Sequence, residues 1–165
     1  MKLLALAPGH ALARDEIFDL LWPEREPEAA ANNLYFALHA ARRVLDAGLG
    51  PRETCLINRQ GRLRLAPPGG VTTDVLTFEA AARAAAASGS IALHEAALAS
   101  YGGDLLPEDR YEDWATGRRE ALRGARRALL ERLAGLHAGR GAWEAAIDLL
   151  ERLLAEDALH EEATA

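Results

Sequence analysis

The stretch that decides the fold is EAAANNLYFALHAARRVL, residues 28–45. Its apolar residues recur at intervals of three and four, as in an amphipathic helix, and form one stripe: Leu34, Leu38, Ala41 and Leu45. The opposite side mixes polar, aromatic and basic groups: Asn32, Tyr35, Phe36, His39, Arg42 and Arg43. We therefore predict a helix that buries its leucines and turns this mixed side to solvent.

The flanking segments predict three helices followed by a hairpin. A short apolar helix over 2–7 is stopped by Pro8-Gly9, and a second helix over 14–22 is ended by Pro23. Downstream, 55–58 and 62–65 are predicted strands joined around Gln60-Gly61, and 71–73 a further short strand. This is the order of a winged helix, in which the second and third helices form a helix-turn-helix. The predicted fold class is mainly α, with a small β-hairpin wing.

The outward side of the third helix has the chemistry of a DNA reader. An Asn32 amide suits an adenine edge, Arg43 suits guanine or a phosphate, and His39 can donate to either. Tyr35 and Phe36 offer contacts to thymine methyls or sugars, whereas Arg59 and Arg62 flank the hairpin tip, where a wing meets phosphates. The predicted DNA-binding residues are Asn32, Asn33, Tyr35, Phe36, His39, Arg42 and Arg43 on the helix, and Arg59, Gln60 and Arg62 on the wing.

A purely structural interpretation stays open for each of these features. An amphipathic helix with two arginines is common. Tyr35 and Phe36 could be a core or interface patch, and the arginines of 59–64 an ordinary solvated hairpin.

The charge is unevenly distributed along the chain. The formal net charge of −6 argues against binding polyanions with the whole surface. Residues 29–65 nevertheless carry six arginines against Asp46 and Glu53, a net of +4, whereas residues 71–165 carry −7. The single cysteine suits a reducing cytoplasm, and no apolar run reaches the roughly 18 residues of a membrane span. We predict a cytoplasmic protein with a local basic surface.

The second half is predicted to be helical throughout. Helices are expected over about 74–87, from Ser90 to about 101, over 111–140, and over 143–156. A tetratricopeptide-like helix pair is indicated by the spacing of Leu130, Leu133, Ala134, His137, Gly141, Ala146 and Leu150. Trp114 and Trp143 are either anchors of a binding surface or packing residues at helix starts.

No pattern of catalysis is present in the sequence. The five histidines lack the paired spacing of zinc ligands, and neither a phosphate-cradling glycine motif nor a nucleophile-elbow serine occurs. We expect no enzyme activity, no metal and no cofactor.

Four blocks of sequence resemble a known family. They are LARDEI…LLWP at 12–23, AAANNL…LH…RRVL at 29–45, GRLRL at 61–65 and TDV…FE at 73–79. They resemble a response-regulator-type winged helix joined to a bacterial transcriptional activator domain. Many relatives have Arg and Ser where this chain has Tyr35 and His39, so the bases contacted are expected to differ.

The resemblance implies two domains and a regulatory function. Residues 1–73 would be a winged helix lacking its N-terminal strands, and 74–165 an incomplete, tetratricopeptide-like activator domain. The implied function is a DNA-binding transcriptional activator whose partners are double-stranded DNA, RNA polymerase or other proteins, and a second copy in a homodimer. The alternative is a protein-interaction scaffold without DNA binding, which the absent strands and the acidic second half favour.

Overall fold

The computed structural model describes residues 1–50 and 53–164, with side chains as far as Ala155. The chain is mainly helical, with a small antiparallel sheet and a helical C-terminal segment, as the sequence predicts. It forms two compact units divided between Thr73 and Asp74, here called the first and second units. No helix in the described ranges has the length and apolar character needed to cross a membrane.

The described residues of the first unit form three α-helices and three strands, with one turn of 3-10 helix at Pro8–His10. The helices are α1 (Lys2–Leu6), α2 (Arg14–Leu21) and α3 (Pro27–Leu45), and the strands are β1 (Ala11–Ala13), β2 (Leu56–Arg59) and β3 (Arg62–Leu65). The sheet order is β1-β3-β2, and both pairings are antiparallel.

The predicted hairpin is present, and its turn has a simple backbone explanation. Gln60 and Gly61 both have positive φ, 50° and 73°, which matches a two-residue turn whose twist suits the flanking strands. The prediction of a strand over 71–73 is wrong, because those residues form no ladder. The third strand is instead β1, which sequence analysis missed because three residues, Ala-Leu-Ala, carry too short a pattern.

The core of the first unit is built from apolar residues of all three helices and of the sheet. Leu34 of α3 is 5% exposed and joins Leu4, Ile17, Cys55, Leu56, Leu63 and Leu65 in one buried cluster. Leu38, Ala41 and Leu45 pack against the same cluster, as the helical stripe predicts. The opposite side of α3 is consequently turned outward.

The second unit is a series of four helices. These are α4 (Asp74–Ala86), α5 (Ile91–Ala99), α6 (Asp113–Ala138) and α7 (Trp143–Thr164). Ser90 caps α5, since its Oγ accepts a hydrogen bond of 3.3 Å from the Leu93 amide. Buried Arg119 donates to the carbonyls of Leu105, Asp109 and Glu112 and so fixes the irregular segment before α6.

Helices α6 and α7 pack on each other, but the residues buried at their contact differ from the predicted set. Leu130, Leu133, Ala134 and Ala146 are buried as expected, together with Leu149 and Leu153. Leu150, predicted at this contact, is 44% exposed. Trp143 is 63% exposed and lies outside the buried cluster, whereas Trp114 is half-buried and its Nε1 donates to Glu112.

Candidate nucleic-acid interface

The outward side of α3 presents the polar residues that the sequence predicted there. Asn32, His39 and Arg43 are all exposed. None of the three has a hydrogen bond or ion pair to another residue in the part of the chain that the structure describes. Their donors and acceptors are therefore available to an external ligand.

Large aromatic side chains lie on the same helix. Tyr35 is 68% exposed and Phe36 is 69% exposed, and their rings meet edge to face with centroids 5.8 Å apart. Val44, near the C-terminal end of the same helix, is 76% exposed. Exposed apolar groups beside polar ones are typical of a contact surface.

Two predicted residues are less accessible than their neighbours. Asn33 is half-buried, and so is Arg42, whose Nη2 donates to the Leu56 carbonyl at 3.0 Å. Arg42 thus ties α3 to the start of β2, and only its remaining donors are open to a phosphate. Sequence periodicity placed Arg42 outward because it takes no account of the neighbouring strand.

The C-terminal end of α3 holds the hairpin at a second point. Asp46 accepts hydrogen bonds from the Cys55 amide at 2.8 Å and from the Thr54 hydroxyl at 2.9 Å. These bonds, the Cys55 amide foremost, hold the pKa of Asp46 below its usual value. Together Arg42 and Asp46 fix the position of the hairpin relative to α3.

The tip of the hairpin concentrates positive charge. Arg59 and Arg62 are paired directly across β2 and β3, and Gln60 and Gly61 form the turn between them. All four residues are exposed. Like charges placed opposite each other destabilise a sheet, so this pair suits an external anion better than it suits the isolated hairpin.

A third arginine on this sheet was not selected from the sequence. Arg64 is exposed and shares a face of β3 with Arg62, because side chains two residues apart point to the same side. Its cross-strand neighbours are Ala11 on β1 and Ile57 on β2, while Ala13 lies opposite Arg62. The alternation of Arg62 and Arg64 with buried Leu63 and Leu65 was the signal that could have identified it.

Acidic side chains occupy a different part of the first unit. Six exposed carboxylates lie on α2, in the turn that leads to α3 and in the first turn of α3: Asp15, Glu16, Asp19, Glu24, Glu26 and Glu28. One of them, Glu16, accepts a hydrogen bond from the Ala13 amide at 2.6 Å and thereby caps α2. A polyanion would therefore be attracted to α3 and the hairpin rather than to α2.

No group of three or more His, Cys, Asp or Glu residues able to hold a metal occurs among residues 1–50 and 53–155, whose side chains the structure describes. Burial is the main cause that raises the pKa of the Cys55 thiol above its usual value. The thiol donates a hydrogen bond to the Leu45 carbonyl.

A comparison with protein families finds one match. Residues 73–165 match the bacterial transcriptional activator domain, which covers the whole second unit. No curated protein matches the chain.

Proposed function

The chain belongs to the bacterial transcriptional activator domain family, and on that premise we propose that its first unit binds double-stranded DNA and its second unit contacts protein partners. In this proposal α2 and α3 are a helix-turn-helix, and β2 and β3 are its wing. The observation that carries the proposal is the exposed side of α3, where Asn32, His39 and Arg43 have no described protein partner.

Helix α3 would supply the base contacts. An α-helix fits the major groove, and amide, imidazole and guanidinium groups are the side chains that bind base edges there. Asn32, Tyr35, His39 and Arg43 would contact bases, and Phe36 would pack on a sugar or a thymine methyl. Arg42 would add a phosphate contact only through the donors that its bond to Leu56 leaves open.

The wing would position the protein on the backbone of the duplex. Arg59 and Arg62 would each contact a phosphate, and Gln60 would approach the same strand from the tip. Because Arg42 and Asp46 hold the hairpin against α3, base contacts and phosphate contacts would form together. A regulator that binds chromosomal DNA would act in the bacterial cytoplasm.

The second unit would make the protein contacts, with RNA polymerase, another regulator or a second copy of the chain as partner. Support comes from α7, where Trp143, Ile147, Leu150 and Leu154 form an exposed apolar row at helical spacing. Exposed apolar rows of this kind mark interaction surfaces more often than isolated apolar residues do.

A protein-interaction scaffold without DNA binding is the second candidate. The exposed carboxylates of α2 oppose a polyanion, and the aromatic pair Tyr35–Phe36 would equally suit a protein surface. Binding to DNA separates the two functions directly.

The test measures fluorescence anisotropy of a labelled duplex of mixed sequence at low salt. We expect micromolar or tighter binding, on the order of that seen for non-specific complexes. The variant Arg43→Gln/Arg62→Gln should bind more weakly, and Arg140→Gln/Arg152→Gln, which removes the same charge from the second unit, should bind as the parent does. Absence of binding at low salt would favour the scaffold.

A further inference from the structure

A cleft between α4, α5 and α6 has the composition of a small-molecule site. Its volume is about 360 Å³, within the usual range for ligand pockets. Its apolar lining is provided by Ala82, Ala86, Ala125, Ala128 and Leu129. Its polar lining consists of His94, Arg83 and Arg132, so two cations and no carboxylate face the space.

Arg83 of α4 and Arg132 of α6 are both exposed, and their surroundings differ from those of Arg118 and Arg123 on α6. Arg118 and Arg123 pair with Glu79 and Asp104, respectively. Neither Arg83 nor Arg132 has a hydrogen bond or ion pair with any residue that the structure describes. Two unneutralised guanidinium groups at one apolar cleft favour an anionic ligand.

His94 supplies the second, independent indication of a ligand. The residue is 0% exposed, and its Nδ1 lies 2.8 Å from the Ser90 carbonyl oxygen. A carbonyl can only accept, so Nδ1 carries the hydrogen, and in the Nδ1–H tautomer Nε2 is an acceptor. Nε2 is buried and has no hydrogen-bond partner among the described residues. Buried polar atoms are nearly always paired, and among the described residues Nε2 of His94 and Nε of Arg118 are the exceptions.

We propose that the cleft binds a small organic hydroxy acid. The carboxylate of the ligand pairs with Arg83 and Arg132, and its hydrocarbon part covers the alanines. Its hydroxyl donates to Nε2 of His94, which is the bond that the protein itself leaves unmade. Because the His94 ring is 0% exposed, the proposal requires the long, exposed side chains of Arg83 and Arg132 to move when the ligand enters. The proposal does not depend on DNA binding.

Each functional group of this ligand would pair with one feature of the cleft. A purely apolar molecule would leave the guanidinium groups and Nε2 unpaired. A carboxylate without a hydroxyl would leave Nε2 unpaired. A divalent cation is disfavoured by the two arginines.

The experiment uses nuclear magnetic resonance of the histidine rings in the full chain. The signals of His94 are identified by their loss from the His94→Gln variant. Three hydroxy acids are titrated: lactate, beta-hydroxybutyrate and para-hydroxybenzoate. We expect at least one to shift the His94 signals saturably, with Nδ1 staying protonated. Benzoate and phenol, matched to para-hydroxybenzoate, should each bind about tenfold more weakly, since each lacks one polar contact.

Variants on the surface test the arginines without disturbing the core. Arg83→Gln/Arg132→Gln should weaken binding by about tenfold or more. Arg140→Gln/Arg152→Gln, with the same change in net charge away from the cleft, should leave binding unchanged. The proposal is overturned if none of the three acids shifts His94, if phenol binds as tightly as para-hydroxybenzoate, or if both double variants behave alike.

Discussion

Replacing the three exposed wing arginines with glutamine should remove most of the salt dependence of DNA binding. Arg59, Arg62 and Arg64 are exposed, and together with Arg43 on α3 they are the exposed arginines of the proposed interface. If on a mixed-sequence duplex each of these four, Arg43 included, neutralises one phosphate, the parent should show a slope of log K against log salt of about −3.6, and Arg59→Gln/Arg62→Gln/Arg64→Gln a slope of about −0.9. Between 50 and 200 mM salt the parent would lose about 150-fold in affinity and the variant only about 3.5-fold.

Fluorescence anisotropy of a labelled mixed-sequence duplex, recorded across that salt range, measures both slopes. The matched control is Arg110→Gln/Arg140→Gln/Arg152→Gln, which removes three exposed arginines from the second unit. An equal fall in slope for both triple variants would refute the assignment, because only net charge would then matter. An unchanged slope in the wing variant would refute it as well.

The same variant also provides a test of its own folding. Arg59 and Arg62 oppose each other across β2 and β3, so their removal relieves a repulsion. The wing variant should therefore unfold at a urea concentration no lower than the parent does. Weakened DNA binding with retained stability would then be a property of the interface.

Three further predictions concern the stability of the two units. Leu34→Ala should destabilise the first unit by about 3 kcal/mol in urea denaturation, because Leu34 is 5% exposed in the core, whereas exposed Phe36→Ala should change stability by less than about 0.5 kcal/mol. Arg119→Leu should destabilise the second unit by about 3 kcal/mol, since three carbonyl acceptors lose their donor, and an equal cost for partly exposed Arg123→Leu would contradict this reasoning. The pKa of Asp46 is lowered on folding, so its contribution to stability is present above its usual pKa of 3.8 and is lost as the pH falls below that value. Asp46→Asn should flatten this acid limb in pH-dependent urea unfolding, and an unchanged limb would exclude Asp46 as its source.

Much of the candidate interface could be predicted from residues 28–45 alone. The period of the leucines fixes which side of α3 is buried, and Asn32, His39 and Arg43 then lie outward. Arg42 occupies the edge between the two sides, where helical angle does not decide exposure. Its orientation is set by its hydrogen bond to the carbonyl of Leu56, which lies on β2, 14 residues further along the chain.

The burial of leucines on α7 shows the same limit of prediction from the sequence. Ala146 can be followed at the contact by Leu149 or by Leu150, since intervals of three and four are both compatible with a helix. The structure buries Leu149 and Leu153 and leaves Leu150 partly exposed. The apolar side of α7 is wider than the surface that α6 offers, so packing, and not the sequence of α7, selects the buried residues.

The sequence by itself determined the helices, the hairpin and the outward chemistry of α3, because these follow from periodicity, turn residues and local charge. Only the tertiary structure decided that Ala11–Ala13 is a strand, that Arg42 donates to the Leu56 carbonyl, and that His94 is buried with Nε2 unpaired. Strand pairing and burial depend on partners distant in the sequence, and a local pattern contains no information about which distant residues will meet.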